Sequence, residues 1–228
     1  MDLQTTLHTI FLRSPPNLFD EFMLEAQKWY ESPAHTLTEM RVRDNKKIRG
    51  DIFEEFCVLY LKFIKGYETV WLLPDVPDSV LILLQMKRQD MGIDIVVESN
   101  GEYYAVQCKY KKHVSDKKNC VTWKALSTFY AMCLRTGPWL KYIVMTNCDS
   151  TRHQGKKTPK DLSICLKSFQ NINKEDWLKM CKLSPMTLTD FPKVENSIEI
   201  LKAKNTDELT KEELRNIRLA YYMKPTAE

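Results

Sequence analysis

The sequence has little glycine, with six residues in 228, and it lacks any long apolar run. It contains no G-x-x-x-x-G-K-[ST] segment, the glycine-rich loop that holds the phosphates of ATP in motor proteins. No apolar stretch approaches the roughly 20 residues that a transmembrane helix needs. We therefore expect neither an ATP-driven motor nor a protein that spans a membrane.

Closely spaced cysteine pairs are also missing, because the seven cysteines are scattered and form no C-x-x-C segment. Secreted disulfide frameworks and structural zinc sites normally show paired spacing. We interpret most of these cysteines as small apolar core residues in a reducing compartment. The first residues, MDLQ, lack the basic start and apolar stretch of a signal peptide. Both features predict an intracellular protein, in the cytoplasm or the nucleus.

The net charge is only +4, which is compatible with nucleic-acid binding but not specific to it. The basic side chains are concentrated in three runs, at residues 41–49, 109–118 and 152–157. Each run alone is most simply a solvated surface. Two of them flank the candidate site described below, which favours a surface that faces phosphate groups. The residues predicted to contact nucleic acid are Lys46, Lys47, Arg49, Lys111 and Lys112.

Periodicity predicts an α/β protein with a mixed sheet. A helix is expected over residues 45–65, because apolar residues recur there at helical spacing and Gly66 can end the helix. Its predicted buried face consists of Ile48, Ile52, Phe56, Leu59 and Phe63. Strands are predicted at residues 69–73, 93–98, 103–110, 142–146 and 162–166. Further helices are predicted at residues 77–85, 121–135, 174–182 and 211–222.

Three regions follow from this organisation. Residues 1–44 are predicted to form an N-terminal helical extension, in which Pro15-Pro16-Asn17 separates two helices. Residues 45–182 are predicted to form the central domain. Residues 183–228 are predicted to form a C-terminal helical extension, which ends in an amphipathic helix.

A hairpin carries the most informative residues. Asn100-Gly101 is a strong signal for a two-residue turn, since both residue types tolerate positive φ. With this turn, Asp94 lies opposite Gln107, and period-two alternation places Lys109 on the same face as Gln107. Gly92 then lies opposite Lys109, and we interpret it as leaving the patch open to a ligand.

The acid, the amide and the lysine together suit phosphodiester hydrolysis. Carboxylate and amide oxygens hold hard divalent cations such as Mg²⁺. Such a cation polarises a phosphate and lowers the pKa of a bound water, and a neighbouring lysine can position that water or offset charge on the phosphate. The alternative is an Asp–Lys surface ion pair beside a solvated glutamine, and the hairpin alone does not choose between the two.

Two segments resemble a known family. Gly92-Ile93-Asp94-Ile95-Val96 followed by Val106-Gln107-Cys108-Lys109 resembles the catalytic core of PD-(D/E)XK nucleases. The resemblance is closest to the Mrr-like restriction endonuclease branch, in which glutamine replaces the usual glutamate of E-x-K. The segment Gly50-Asp51-Ile52-Phe53-Glu54 resembles the G-x-x-F-E helix that precedes this core. The resemblance covers residues 45–148 and implies a restriction-endonuclease-like core with added N- and C-terminal helices.

The resemblance also implies a role for each site residue. Glu54, Asp94, Gln107 and the backbone carbonyl of Cys108 would hold Mg²⁺ or Mn²⁺, and Lys109 would position or activate the attacking water. Glu55 is an alternative to Glu54, because helical periodicity does not choose between them. The F-E match and the spacing from Gly50 favour Glu54. Glutamine in place of glutamate removes one negative charge, which should weaken metal binding.

The implied function is that of a metal-dependent DNA endonuclease of restriction or repair type. A junction-resolving nuclease shares the fold and is one alternative. A catalytically inactive nucleic-acid-binding module is another, and a purely structural interaction protein is a third. The expected partner is DNA. A helicase or another DNA-processing protein, or a second copy of the chain, is a further expected partner.

Overall fold

The fold comes from a computed structural model, which describes residues 3–31, 45–89, 92–111, 119–152 and 158–181. The chain divides into two compact units. The smaller unit is formed by Met1–Phe22 with Asn173–Glu228, and the larger by Met23–Ile172. The predicted helix at 211–222 and the whole predicted extension from residue 183 lie outside the described residues. The predicted regions 1–44, 45–182 and 183–228 therefore stay predictions.

The smaller unit contains α1 (Leu3–Arg13), the start of α2 (Leu18–Glu31) and α7 (Lys174–Met180). The predicted break between the first two helices is present. Asn17 caps the N-terminus of α2, because its side-chain oxygen accepts hydrogen bonds from the amides of Phe19 and Asp20, both at 3.1 Å. In this unit the indole of Trp177 is fully buried and donates to the carbonyl of Leu7 at 3.0 Å.

The larger unit is built on a five-stranded mixed sheet. Its strands are β1 (Thr69–Leu72), β2 (Ile95–Ser99), β3 (Glu102–Lys109), β5 (Lys141–Thr146) and β7 (Asp161–Ile164). They lie in the order β1-β2-β3-β5-β7. The first three pair antiparallel, and β3, β5 and β7 pair parallel. The predicted α/β fold with a mixed sheet is confirmed.

Helices cover both faces of this sheet. They are α3 (Asn45–Phe63), α4 (Asp78–Leu83), α5 (Trp123–Arg135) and α6 (Leu166–Gln170), with a single 3-10 turn at Leu73–Asp75. Short strands β4 (Cys120–Val121) and β6 (Ser150–Thr151) form a separate parallel pair. Helix α5 connects the parallel neighbours β3 and β5, so it runs back from the carboxyl end of β3 to the start of β5. Within the described residues, no helix is long and apolar enough to cross a membrane.

The buried face of α3 is not the predicted one. Phe56 is buried as expected, but the predicted Ile52, Leu59 and Phe63 are only half-buried, and the side chain of Ile48 lies outside the described residues. The fully buried positions are instead Phe53, Phe56, Cys57, Tyr60 and Leu61. The reason is aromatic packing, because the ring of Phe169 in α6 meets the rings of Phe53, Phe56 and Tyr60 edge-on. The ring centroids are 5.9, 5.7 and 5.1 Å apart, respectively.

One predicted strand is shorter than expected. The apolar run at residues 162–166 was interpreted as a single strand, but β7 ends at Ile164 and α6 begins at Leu166. The amide of Leu166 donates to the carbonyl of Cys148 at 2.9 Å, which directs the chain away from the sheet. A short apolar run does not distinguish a strand from a strand followed by a helix, because both bury the same residue types.

Candidate active site

The hairpin of β2 and β3 has the predicted turn and register. Asn100 and Gly101 have φ of 54° and 73°, and the pairing runs from Ser99 opposite Glu102 to Ile95 opposite Val106. Beyond this point the regular ladder ends. The amide of Asp94 donates at 2.9 Å to the carbonyl of Val106, which is already the partner residue of Ile95. Two consecutive residues of one strand therefore face one residue of the other, as in a β-bulge.

The bulge changes how Asp94 meets β3. Asp94 was predicted to lie directly opposite Gln107, but its backbone pairs one residue earlier. Its side chain instead reaches along β3. Its Oδ2 atom accepts a hydrogen bond from the backbone amide of Cys108 at 2.7 Å and another from the side-chain amide of Gln107. The predicted contact between Asp94 and Gln107 is therefore present, and the backbone of Cys108 is part of it.

Gly92 is explained by helix packing, and the expectation that it leaves the patch open to a ligand stays a prediction. Its φ is +97°, a conformation that side chains disfavour. A Cβ atom at this position would lie 3.1 Å from the backbone nitrogen of Phe129 and 3.4 Å from the carbonyl carbon of Thr128. Glycine is thus required because the segment before Asp94 passes directly against the backbone of α5.

The helix carboxylate approaches from the other side of the sheet. Cys108 faces α3, where its thiol lies close to that of Cys57. Burial raises the pKa of both thiols, and the nearby carboxylates of Glu54 and Asp94 raise both pKa values further. Glu54 and Asp94 therefore lie in electrostatic range of the same pair of thiols. Glu54 is half-buried, whereas Glu55 is exposed.

Gln107 and Lys109 point to the opposite face from Cys108, because side chains alternate along β3. Gln107 is only 2% exposed. It lies on the same strand face as Ala105, two residues earlier, which packs in the same core as Phe129 of α5. Lys109, the last residue of β3, is half-buried. The site therefore lies at the carboxyl end of β3. There Asp94 contacts the side chain of Gln107, which faces α5, and the backbone amide of Cys108, whose side chain faces α3.

Two polar residues of β5 and the following turn were missed by the sequence analysis. Thr146 is fully buried and Asn147 is 8% exposed. The hydroxyl of Thr146 donates to the carbonyl of Lys109 at 2.7 Å, and the side chain of Asn147 bonds to the backbone of Lys111. The available signal was their position, directly after the apolar run Ile143-Val144-Met145 and therefore at the carboxyl end of a buried strand.

The predicted nucleic-acid contacts are only partly described. Lys111 is directed into the protein, where its ammonium group donates to the carbonyl of Cys120 at 2.7 Å. Lys112 lies outside the described residues. Lys46, Lys47 and Arg49 are in the first turns of α3, and their side chains are likewise not described. At the start of α5, Lys124 is exposed and lies one turn before Thr128, which is beside Gly92.

The donor atoms suit a hard divalent cation. Among the described residues, no group of three or more His, Cys, Asp or Glu side chains is placed to hold a metal ion. The predicted ligands include only two carboxylates, and the others are an amide oxygen and a backbone carbonyl. The Gln107 amide nitrogen bonds to Asp94 and lies 3.3 Å from the carbonyl oxygen of Cys108. The positively polarised amide of Gln107 thus lies between the oxygens of Asp94 and Cys108. Oxygen atoms are the ligands that Mg²⁺ and Mn²⁺ prefer, so a cation could bind these same two oxygens.

Comparisons with known proteins add a family. Residues 62–182, just over half of the chain, match an Mrr-type catalytic-domain family described as restriction endonuclease. These residues include Asp94, Gln107 and Lys109, whereas Glu54 precedes them. No curated protein matches the chain. A crystal structure described as protein of unknown function AF1548 is 16% identical, with a TM-score of 0.36 over 74% of this chain and 96% of that one.

Proposed function

The chain belongs to a restriction endonuclease family, and from this premise we propose that it is a metal-dependent DNA endonuclease of the PD-(D/E)XK type. The observation that carries the proposal is the set of hydrogen bonds between Asp94 and the end of β3. One oxygen of Asp94 is bonded to both Gln107 and the Cys108 amide, so an acid, an amide and a carbonyl meet at one point. Lys109 follows on the same strand face as Gln107.

Each residue has a separate role in this proposal. Asp94, Glu54, Gln107 and the carbonyl of Cys108 would hold Mg²⁺ or Mn²⁺. The bound ion would supply positive charge at the scissile phosphate and lower the pKa of a coordinated water. Asp94 keeps its orientation because one of its oxygens is bonded to β3. Lys109 would place its ammonium group against the attacking water or the phosphate, where it offsets developing negative charge.

The topology supports approach of DNA to this edge of the sheet. In sheets with parallel strands, ligands bind beyond the carboxyl ends of the strands. The carboxyl ends of β3 and β5 lie here, and α5 begins on the same side because it follows β3 in the chain. The exposed Lys124 in its first turn would contact a phosphate that flanks the scissile bond. Contacts between the predicted basic residues and phosphate groups are part of the same proposal.

The test is cleavage of supercoiled plasmid and of branched DNA in Mg²⁺, Mn²⁺ or EDTA. The wild type should cut only with metal, and Asp94→Asn and Lys109→Ala should lower the rate by about 10³-fold or more. Asp78→Asn and Lys167→Ala are the matched controls, because both residues are exposed and outside the site. They should cut as the wild type does. Preference for branched DNA would identify a junction-resolving nuclease.

An inert wild type would contradict the proposal. If the wild type fails to cut with every metal but binds DNA, the fold serves as a recognition module. A helicase or other DNA-processing partner, a homodimer, and a location in the cytoplasm or nucleus remain parts of the same proposal. Sedimentation of the protein with and without DNA would test the homodimer.

A further inference from the structure

The end of β3 is held by side chains where the sheet itself stops. Regular pairing of β3 with β5 ends at Lys109 opposite Thr146. Beyond this pair, the side chain of Asn147 makes the hydrogen bonds that the backbone of a neighbouring strand would make. Its side-chain oxygen accepts from the amide of Lys111 at 2.8 Å, and its side-chain nitrogen donates to the carbonyl of Lys111 at 2.7 Å. Asn147 thus makes both of the hydrogen bonds that a neighbouring strand residue would make.

The hydroxyl of Thr146 secures the residue before this point. It donates to the carbonyl of Lys109 at 2.7 Å and accepts from the amide of Cys148 at 3.1 Å. Together, Thr146 and Asn147 hold the chain on both sides of Tyr110. Both side chains are nearly inaccessible to water, so no solvent molecule can readily replace a lost hydrogen bond.

This arrangement holds the backbone from which Lys109 projects. The lysine side chain is a flexible four-carbon stem, and its rotamers spread over a wide volume if the backbone beneath it also moves. Catalytic groups need placement within about 0.5 Å, and an error of about 1 Å can cost about 100-fold in rate. A catalytic lysine at the last residue of a strand therefore needs support that the sheet no longer gives.

We propose that Thr146 and Asn147 are positioning residues that fix the Lys109 side chain for phosphodiester cleavage, an inference that rests on the proposed function. Thr146 holds the Lys109 carbonyl, and Asn147 holds the chain two residues later. Neither residue contacts the substrate. Their substitution should therefore lower the turnover rate and leave DNA affinity nearly unchanged.

The variants are chosen to keep the fold. Thr146→Val removes the hydroxyl at nearly constant volume, and Thr146→Ser restores it. Asn147→Asp keeps the oxygen that accepts from the Lys111 amide and loses the donor to the Lys111 carbonyl. Thr136→Val is the matched control, because its hydroxyl also bonds to a carbonyl, that of Met132 at 2.7 Å, at the other end of α5.

Cleavage kinetics form the first part of the experiment. Thr146→Val and Asn147→Asp should lower kcat by about 10- to 100-fold with less than about threefold change in KM. Thr146→Ser should recover most of the loss, and Thr136→Val should cleave as the wild type does. In a Lys109→Ala background, Thr146→Val should cause no further loss, because the two residues act through one group. Equal losses with and without Lys109 would overturn the proposal.

The second part needs neither metal nor cleavage. The ε-methylene signals of Lys109 are recorded by NMR in metal-free protein and assigned by their loss in Lys109→Ala. In Thr146→Val and Asn147→Asp these signals should move towards the values of freely rotating lysines, and in Thr146→Ser and Thr136→Val they should not. Unchanged Lys109 signals would overturn the positioning role even if the wild type cuts DNA. Changed signals in a protein that cuts no DNA would contradict the proposed function instead.

Discussion

Polar groups at the two ends of the parallel strands have different hydrogen-bond partners. At the amino ends of β5 and β7, polar groups are bonded to nearby loops. Lys141 and Lys160 donate to the carbonyls of Pro159 and Trp139, and the carboxylate of Asp161 accepts from Thr158. At the carboxyl ends, polar side chains bond across neighbouring chain segments, as Asp94, just before β2, does to Gln107 of β3.

This difference favours the carboxyl ends as the location of the proposed chemistry. Loop contacts at the amino ends satisfy these charges locally. At the carboxyl ends, the buried Gln107, Thr146 and Asn147 cluster around the last residues of β3. Burying polar groups is costly unless they are fully bonded, so a cluster of them at one end of a core indicates a functional site. The following predictions test that contrast.

The largest contrast is expected between two carboxylates. Glu54→Gln removes a proposed metal ligand at the carboxyl end and should lower metal-dependent cleavage by about 100-fold or more. Asp161→Asn at the amino end should leave the cleavage rate within about twofold of the wild type, because it weakens only interactions with Thr158 and Tyr130, away from the site. Rates with saturating Mg²⁺ measure both.

Glu55→Gln tests which of Glu54 and Glu55 is the helix carboxylate of the site, a choice that the sequence leaves open. Glu55 is exposed on α3, so its loss should leave the rate unchanged. A larger loss from Glu55→Gln than from Glu54→Gln would exchange their roles and remove Glu54 from the site.

Substitution of two glycines with positive φ should lower the free energy of unfolding by different amounts. Gly92→Ala combines a disfavoured φ of +97° with a Cβ atom 3.1 Å from the backbone of Phe129, and it should cost about 2–4 kcal/mol of unfolding free energy. Gly101→Ala has φ of +73° with no atom within 4 Å of the added Cβ, and it should cost about 1 kcal/mol. Urea unfolding of both variants measures the difference, and equal costs would mean that α5 does not constrain the segment before Asp94.

Alkaline pH should destabilise the larger unit through its buried thiols. Burial raises the pKa of Cys57, Cys108 and Cys133 above the ordinary value of 9.0, and Asp161 adds to the rise at Cys133. A raised pKa favours the protonated thiol in the folded state. Its stabilisation is full below pH 9.0 and is lost as pH rises towards the folded-state pKa.

The measurement is the melting temperature across this range. Tm should fall as pH rises from about 8 to about 11. Cys133→Ala should reduce this fall, because alanine has no proton to lose. An identical pH dependence in Cys133→Ala and wild type would mean that this thiol ionises equally in both states.

The smallest effect is expected from two cations at opposite ends of α5. Lys124→Ala, at the carboxyl ends of the strands, should weaken DNA binding by about threefold to tenfold and reduce its salt dependence. Arg135→Ala, in the last turn of the same helix, should leave binding nearly unchanged. Fluorescence anisotropy without metal at several salt concentrations measures both. A stronger effect from Arg135 would place DNA at the other end of the sheet.

Much of the fold and the contact between Asp94 and Gln107 follow from local sequence. Asn100-Gly101 predicts the turn because few other residue pairs tolerate positive φ at both positions. The turn and strand alternation then predict the contact between Asp94 and Gln107. The buried face of α3 could not be predicted in this way, because the ring of Phe169, more than a hundred residues later, selects Phe53 and Tyr60.

The sequence alone determined the order of the five main strands, the hairpin and the residue types that bring an acid, an amide and a lysine to one strand end. Only the tertiary structure decided the bulge at Asp94, the contact of Gly92 with α5, and the support of Lys109 by Thr146 and Asn147. Turn and alternation preferences act between neighbouring residues. The bonds from Thr146 and Asn147 join residues 37 and 36 positions apart, and they form only because α5 brings β5 back beside β3.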